Sequence, residues 1–159
     1  MSNISVKNYY LSFIDREIQA YDDVTRRHVH DFAESIIDFV INYEDAEFLK
    51  ELDYSMIKKI VESDDVTNIQ YALHLLALEP HDVLNWVFYV EDSSNHYEPT
   101  RIYLKPKDLA KILREEDFHN PITGNEVTKE CFSELVNTVF KVSDNFIKKV
   151  SQDDIRGYL

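Results

Sequence analysis

Glycine is scarce in this chain of 159 residues, which has only Gly124 and Gly157. Enzymes that cradle a phosphate or a dinucleotide, or that hold a serine on a sharp strand-to-helix turn, place several glycines in one short motif. The sequence therefore excludes those enzyme classes. Cysteine is scarcer still: Cys131 stands alone, so the chain has neither an internal disulfide nor a cysteine-rich metal cluster.

Long apolar runs are also missing. Nowhere do eighteen uninterrupted apolar residues occur, and the first ten residues lack the apolar stretch of a signal peptide. We therefore expect a cytoplasmic protein that does not bind membranes. At this length, with 44% hydrophobic residues, a core forms without a disulfide or a metal. We expect one domain, 1–159, with residues 1–79 and 80–159 as possible sub-lobes.

Acidic charge is what the chain has in excess. Thirty Asp and Glu residues stand against 17 Lys and Arg residues, which gives a net charge of −13. Residues 61–100 contain eight acidic and no basic residues, whereas residues 101–159 contain ten of each. The acidic stretch either solubilises the chain and caps its helices or binds a basic partner, and both interpretations stay open. Because the net charge opposes binding to phosphates, we expect no direct contact with nucleic acid.

Apolar residues in the first half of the chain recur at spacings of three and four, the pattern of helices that bury one face. We predict a helix over residues 8–21, a central helix over 23–43 that contacts two neighbours, and three shorter helices within 44–77. Ser55 and a carboxylate within 63–65 are the expected caps of the second and third short helices. These helices form an N-terminal bundle.

The period then changes from helical to alternating. Apolar and polar residues alternate through 83–91 and again through 101–105, which predicts a half-buried β-hairpin with a polar connection over 92–99. Since two strands alone are barely stable in water, the hairpin needs a helix, a third strand or another molecule. Residues 122–127 are a candidate third strand, although their sequence also suits turns.

Helical spacing returns after the hairpin. Pro106 suits the first position of a helix, Thr128 suits the cap of a helix that reaches Phe140, and Ser143 suits the cap of a final one. The fold class is therefore mainly α with a small β-hairpin or three-stranded sheet (α+β). In chain order it is an N-terminal helical bundle followed by a hairpin and two to three C-terminal helices.

The hairpin carries the candidate interaction surface. Tyrosine and arginine are the residues that most often anchor protein interfaces, and the same residues also stabilise a sheet by pairing across strands. Neither role is excluded by the pattern. Four candidate residues alternate with the apolar residues of the strands and are therefore expected to face outward: Tyr89, Arg101, Tyr103 and Lys105. The fifth, Tyr97, lies in the connection.

A basic segment follows the hairpin. Lys107, Lys111 and Arg114 are spaced by four and three residues, so they share one face of the predicted helix, with Lys105 beside its N-terminus. Such a group of cations at a helix N-terminus suits a phosphate or a carboxylate. It equally suits the protection of a strand edge and the solubility of a helix.

The densest polar cluster lies on the central helix and contains His28, His30, Asp31 and Glu34. His28 and His30 point to different sides of a helix, whereas His30 and Glu34, four residues apart, face the same way. We expect no metal or cofactor, because ion pairs along the helix account for these residues, and His30 and Glu34 are the residues that would bind a metal.

These patterns predict a protein that is not an enzyme. It is interpreted as a non-catalytic intracellular protein–protein interaction module, such as an adaptor, an inhibitor or a small subunit, whose partner is another protein or a second copy of itself. One alternative is an acidic regulator that occupies a basic nucleic-acid-binding protein. Another is a metal-dependent hydrolase centred on His28 and His30.

Overall fold

Helices form most of residues 2–42, 51–94 and 97–156, which are the residues that the computed structural model describes. The helices are α1 Ser2–Glu17, α2 Asp23–Asn42, α3 Tyr54–Val61, α4 Val66–Leu75, α5 Pro106–Glu115, α6 Lys129–Leu135 and α7 Asp144–Arg156. The strands are β1 Leu84–Asp92, β2 Thr100–Leu104 and β3 Val136–Val142. The predicted fold class, mainly α with a small sheet, is confirmed.

Contacts divide the chain into two units. Unit 1 comprises Met1–Asn85 and Phe140–Leu159, and unit 2 comprises Trp86–Val139. Unit 2 is therefore an insertion between two parts of unit 1. The expectation of one domain with sub-lobes 1–79 and 80–159 stays a prediction.

The core of unit 1 surrounds α2. This helix is amphipathic, and its residues Val29, Ala33, Ile36 and Ile37 are completely buried. It packs against α1, α3 and α4, so it has three neighbours where two were predicted. The broad apolar surface of α2 explains the third contact, because an apolar surface wider than one stripe has to be buried against more of the core.

Three helix starts test the predicted caps. Asp53, not Ser55, caps α3, because its carboxylate accepts a hydrogen bond from the backbone N–H of Met56 (2.8 Å) while Ser55 lies inside the helix. The carboxylate predicted within 63–65 is Asp65, which accepts from the backbone N–H of Asn68 (3.3 Å). Thr128 accepts from the backbone N–H of Cys131 (3.1 Å) and caps α6 as predicted.

One predicted short helix, centred on Phe48 and Leu49, lies outside the described residues. Its last apolar residue, Leu52, is buried and pairs with Phe140 as an isolated bridge. Two backbone hydrogen bonds of 2.7 and 2.8 Å join these two residues. The chain at Leu52 is thus extended, because a bridge of this kind requires extended backbone at both residues.

The third strand differs from the predicted one. The helix expected from Thr128 to Phe140 ends at Leu135, and β3 follows directly. The run from Val136 to Val142 is rich in β-branched residues, which favour extended backbone over helix. Residues 122–127, the candidate third strand, are not a strand of the sheet: the side chain of Asn120 accepts hydrogen bonds from two backbone N–H groups at a turn, and Glu126 pairs with His119 as an isolated bridge.

The sheet has the order β2-β1-β3. Strands β1 and β2 are antiparallel, with five consecutive residue pairs that run from Phe88 opposite Leu104 to Asp92 opposite Thr100. Val90 is buried, so the face that it shares with Ile102 is the inward one. Among the described helices, none is both long and apolar enough to cross a bilayer.

Candidate interaction surface

The outward face of the hairpin brings three predicted residues together. Tyr89 and Tyr103 lie directly opposite each other on β1 and β2, with their ring centroids 6.2 Å apart. The guanidinium carbon of Arg101 lies 4.1 Å from the centroid of the Tyr89 ring. Tyr103 is 55% exposed. We name Tyr89, Arg101 and Tyr103 the hairpin cluster.

A carboxylate accompanies the hairpin cluster. Glu91 is the cross-strand partner of Arg101 and is exposed. Opposite charges on directly opposed strand residues stabilise the pair. The outward face therefore combines two tyrosine rings and an arginine, which are residue types enriched at protein interfaces, with one glutamate, a type depleted there.

The other two predicted surface residues lie outside the strands. Tyr97 is in the connection between β1 and β2 and is 94% exposed. Lys105 follows β2 at the N-cap position of α5, is exposed, and makes no side-chain cap bond. The structure thus joins three of the five predicted residues in one cluster and places the other two at opposite ends of β2.

Helix α5 presents the basic residues of the predicted anion site. Lys107, Lys111 and Arg114 are all exposed, and no residue of this helix is buried. A groove of about 360 Å³ runs beside the helix and contains Lys111 together with carboxylates. Its lining residues are Leu104, Asp108, Lys111, Ile112, Glu115, Asp117, His119 and Pro121. Three carboxylates in the groove oppose an anion, and the anion site stays a prediction.

The predicted metal residues belong to a charge network between α1 and α2. One ring nitrogen of His30, Nδ1, lies 2.6 Å from Asp15 Oδ1, and the other, Nε2, lies 3.2 Å from Glu34 Oε2. Glu34 also pairs with Lys7 (2.9 Å), and Lys7 pairs with Asp38 (3.0 Å). The network therefore alternates in sign along its length when His30 is protonated.

The charges of the network shift the pKa values of its members. Partial burial alone lowers the pKa of His30, but the hydrogen bond with Asp15 and the charges of Asp15, Glu34 and Asp31 outweigh it, so this pKa is raised. A hydrogen bond from Lys7 lowers the pKa of Glu34, and the pKa of Lys7 is raised in return. Each shift favours the charged form of its group.

A metal would compete with these ion pairs. His30, Asp31 and Glu34 offer ligand atoms within 4.8 Å of one another. A metal-binding imidazole must present a lone pair, whereas both nitrogens of His30 face carboxylates, which is the arrangement of a protonated ring. His28 is exposed and lies near Phe32, with ring centroids 6.1 Å apart. The expectation that His30 and Glu34 bind no metal stays a prediction.

Several acids within 61–100 have local structural partners. Asp65 caps α4, and Asp64 pairs with Lys58 at 3.2 Å. Asp92 accepts a hydrogen bond from the backbone N–H of Ser94 (2.9 Å), and bonds from Ser94 lower its pKa. Asp82 is buried. These contacts account for part of the acidic stretch without a basic partner.

Two features of unit 1 were not foreseen from the sequence. Asp82 and Ser143 are buried polar residues, and the Ser143 hydroxyl donates a hydrogen bond of 2.6 Å to Asp82 Oδ2. Tyr9 contacts His81 through a hydrogen bond of 2.9 Å, and the ammonium of Lys149 lies 4.0 Å from the centroid of the Tyr9 ring. Both join residues at least sixty positions apart, so no local pattern marks them.

Comparison with protein-family models, with curated proteins and with solved structures finds no match for this chain.

Proposed function

We propose that this chain is a non-catalytic intracellular protein–protein interaction module that binds its partner through the hairpin cluster. The observation that carries the proposal is the stacking of Arg101 on Tyr89, 4.1 Å from guanidinium carbon to ring centroid, beside the exposed ring of Tyr103. Tyrosine and arginine are the residue types most enriched among those that dominate binding free energy.

Preorganisation supports this proposal. A side chain that is held in place before binding loses less conformational entropy when the complex forms. The cation–π contact of Arg101 with Tyr89 is worth about 0.5–1 kcal/mol at an exposed site, and the cross-strand partnership with Tyr103 orders the second ring. The hairpin cluster therefore offers rigid aromatic contact area at a low entropic cost.

The free thiol supports an intracellular location. Cys131 is exposed on α6. Exposed single thiols are kept reduced inside cells, whereas oxidising compartments favour disulfides.

Photochemical cross-linking in cells tests the proposed function. We expect the full chain with p-benzoylphenylalanine at position 103 to give a defined covalent adduct with a protein, because Tyr103 lies at the centre of the proposed contact. The same substitution at Tyr71, a tyrosine on α4 that is 44% exposed, is the matched control and should give no such adduct.

A charge variant sharpens this experiment. Arg101→Glu should lower the adduct yield at position 103 severalfold, because it removes the cation stacked on Tyr89 and places a carboxylate beside Glu91. Lys129→Glu, an equal charge change at an exposed residue of α6, should leave the yield unchanged. Equal adduct yields at positions 103 and 71 would contradict the proposed function. So would an adduct yield at position 103 that Arg101→Glu leaves unchanged.

A further inference from the structure

Strand β2 ends the sheet, since the order is β2-β1-β3 and β1 is its strand neighbour among the described residues. A terminal strand is a template for another chain, and proteins usually block it with proline, lysine, a bulge or a short length. Residues Thr100–Leu104 include no proline, glycine or lysine, and their five pairs with β1 run without a bulge. The only charge, Arg101, lies against the Tyr89 ring.

Charge changes sign from one end of β2 to the other. Glu98 precedes the strand, whereas Lys105 and Lys107 follow it, and all three side chains are exposed. When two copies of this strand run antiparallel around a twofold axis, the acidic start of each lies beside the basic end of the other. Parallel strands would place like charges together, so charge complementarity selects the antiparallel arrangement.

One register pairs the whole strand with itself. Centred on Ile102, it places Thr100 opposite Leu104 of the second copy and Arg101 opposite Tyr103 of the second copy. Each Arg101 then lies beside an aromatic ring of the other copy as well as its own Tyr89. The same register places Glu98 opposite Pro106 of the second copy, one residue from Lys105, at both ends of the pair.

From this complementarity we infer that the partner of the hairpin cluster is a second copy of this chain, bound by antiparallel pairing of β2 with β2. The inference rests on the proposed function and names its partner. The contact is isologous, because one twofold axis relates both surfaces. It follows the strand-addition mode of recognition, in which backbone hydrogen bonds provide the affinity and every second side chain determines the specificity.

The surface area buried in the contact determines how tightly we expect the two copies to bind. Stable interfaces bury about 1,600 Å² in total, which two five-residue strands do not supply alone. Helix α5 begins directly after β2 at Pro106 and has no buried residue, and its Leu113 is 49% exposed. Residues of this helix line one groove with Leu104 of β2, and in the inferred dimer we expect the helix to extend the contact. We therefore expect a reversible dimer whose population rises with protein concentration.

Sedimentation velocity of the full chain over a concentration series tests the inference. The wild-type chain should shift from monomer to dimer. Glu98→Lys alone and Lys105→Glu alone should each weaken dimerisation at least about fivefold, because each variant puts like charges together at both ends of the pair. An equimolar mixture of the two variants should restore the dimer, since the mixed pair recovers both attractive contacts.

Matched controls change the same charges elsewhere in unit 2. Glu134→Lys and Lys129→Glu lie on α6, are exposed in the wild-type chain, and should dimerise as the wild type does, alone and mixed. Circular dichroism of all four variants checks that each is folded, and a variant that unfolds is replaced by Glu98→Gln or Lys105→Gln, which should weaken the dimer less.

The outcomes separate this inference from the proposed function. A wild-type chain that stays monomeric up to millimolar concentration, or variants whose mixture fails to restore the dimer, overturns β2 self-pairing. If position 103 then cross-links to a different protein, the proposed function stands and only its partner changes. A self-adduct at position 103, together with rescue by mixing, supports both.

Discussion

His30 shows how a residue that suits metal binding is used by ion pairs. Its two ring nitrogens face Asp15 on α1 and Glu34 on its own helix, while Lys7 from α1 neutralises Glu34 from the other side. These groups join α1 to α2 through polar side chains above the buried apolar contact. The network is partly exposed, so each pair adds little to the free energy of unfolding.

The raised pKa of His30 makes this contribution depend on pH. A group whose folded pKa lies above its unfolded value of about 6.5 stabilises the fold fully below that value and loses the effect as pH rises through the folded pKa. We expect His30→Gln to lower the free energy of unfolding by about 0.5–1 kcal/mol at pH 6 and by less at pH 9.

Urea unfolding at the two pH values measures this difference. His74→Gln, at an exposed residue of α4, is the control and should change little at either pH. Asp15→Asn should reduce the dependence on pH, because it removes the carboxylate that accepts from His30 Nδ1. If His30→Gln lowers the free energy of unfolding equally at pH 6 and pH 9, the charge on this ring does not stabilise the fold.

At the scale of elements, strands that bury one face were predictable, because their apolar and polar residues alternate. The alternating residues of β1 and β2 predicted the outward face of Tyr89, Arg101 and Tyr103, and the register confirms it. The start of β3 was not predictable in this way. Phe132 and Val136 fit a helical stripe as well as a strand, and only pairing with distant residues decides between the two.

Long-range contacts limited the prediction of the candidate sites. The pairing of His30 with Asp15 depends on how α1 lies on α2, and the sequence suggested partners for His30 only within α2. The spacing of His30, Glu34 and Asp38 by four residues was the available signal, because it places three titratable groups in one row. The row on α2 was therefore visible, but its cation, Lys7, was not.

Two helices end without the residue that suits their geometry. Glu62 after α3 and Glu116 after α5 have φ values of 54° and 53°, the left-handed conformation that glycine adopts without strain. The scarcity of glycine in the sequence is thus visible as backbone strain at helix ends. Left-handed backbone costs a residue with a side chain about 1–2 kcal/mol.

Glycine at these positions should stabilise the protein. We expect Glu62→Gly and Glu116→Gly each to raise the free energy of unfolding by a few tenths to about 1 kcal/mol, because relief of strain exceeds the added freedom of the unfolded chain. Glu115→Gly, one residue earlier and inside α5, should instead lower it by about 1 kcal/mol. Equal effects at positions 115 and 116 in urea unfolding would contradict this account.

At the scale of the whole molecule, buried apolar side chains are distributed unevenly. Unit 1 contains the completely buried residues of α2 and α4, such as Ile36 and Leu73. The buried apolar side chains of unit 2 are Val90, Phe118, Phe132 and Val139 among the residues that the structure describes. Because hydrophobic burial is the main stabilising contribution, resistance to local opening should differ between the units.

Amide hydrogen exchange followed by mass spectrometry measures this resistance. At concentrations where the chain is monomeric, we expect amides of α2 and α4 to exchange slowest and those of α5 to exchange fastest among the helices of eight or more residues, because α5 has no buried residue. Raising the protein concentration should slow exchange in β2 and leave α4 unchanged, since only β2 gains backbone hydrogen bonds in the inferred dimer. Protection of α5 equal to that of α4 would contradict the expected difference in stability. Slowing at α4 but not at β2 would place the contact between copies elsewhere.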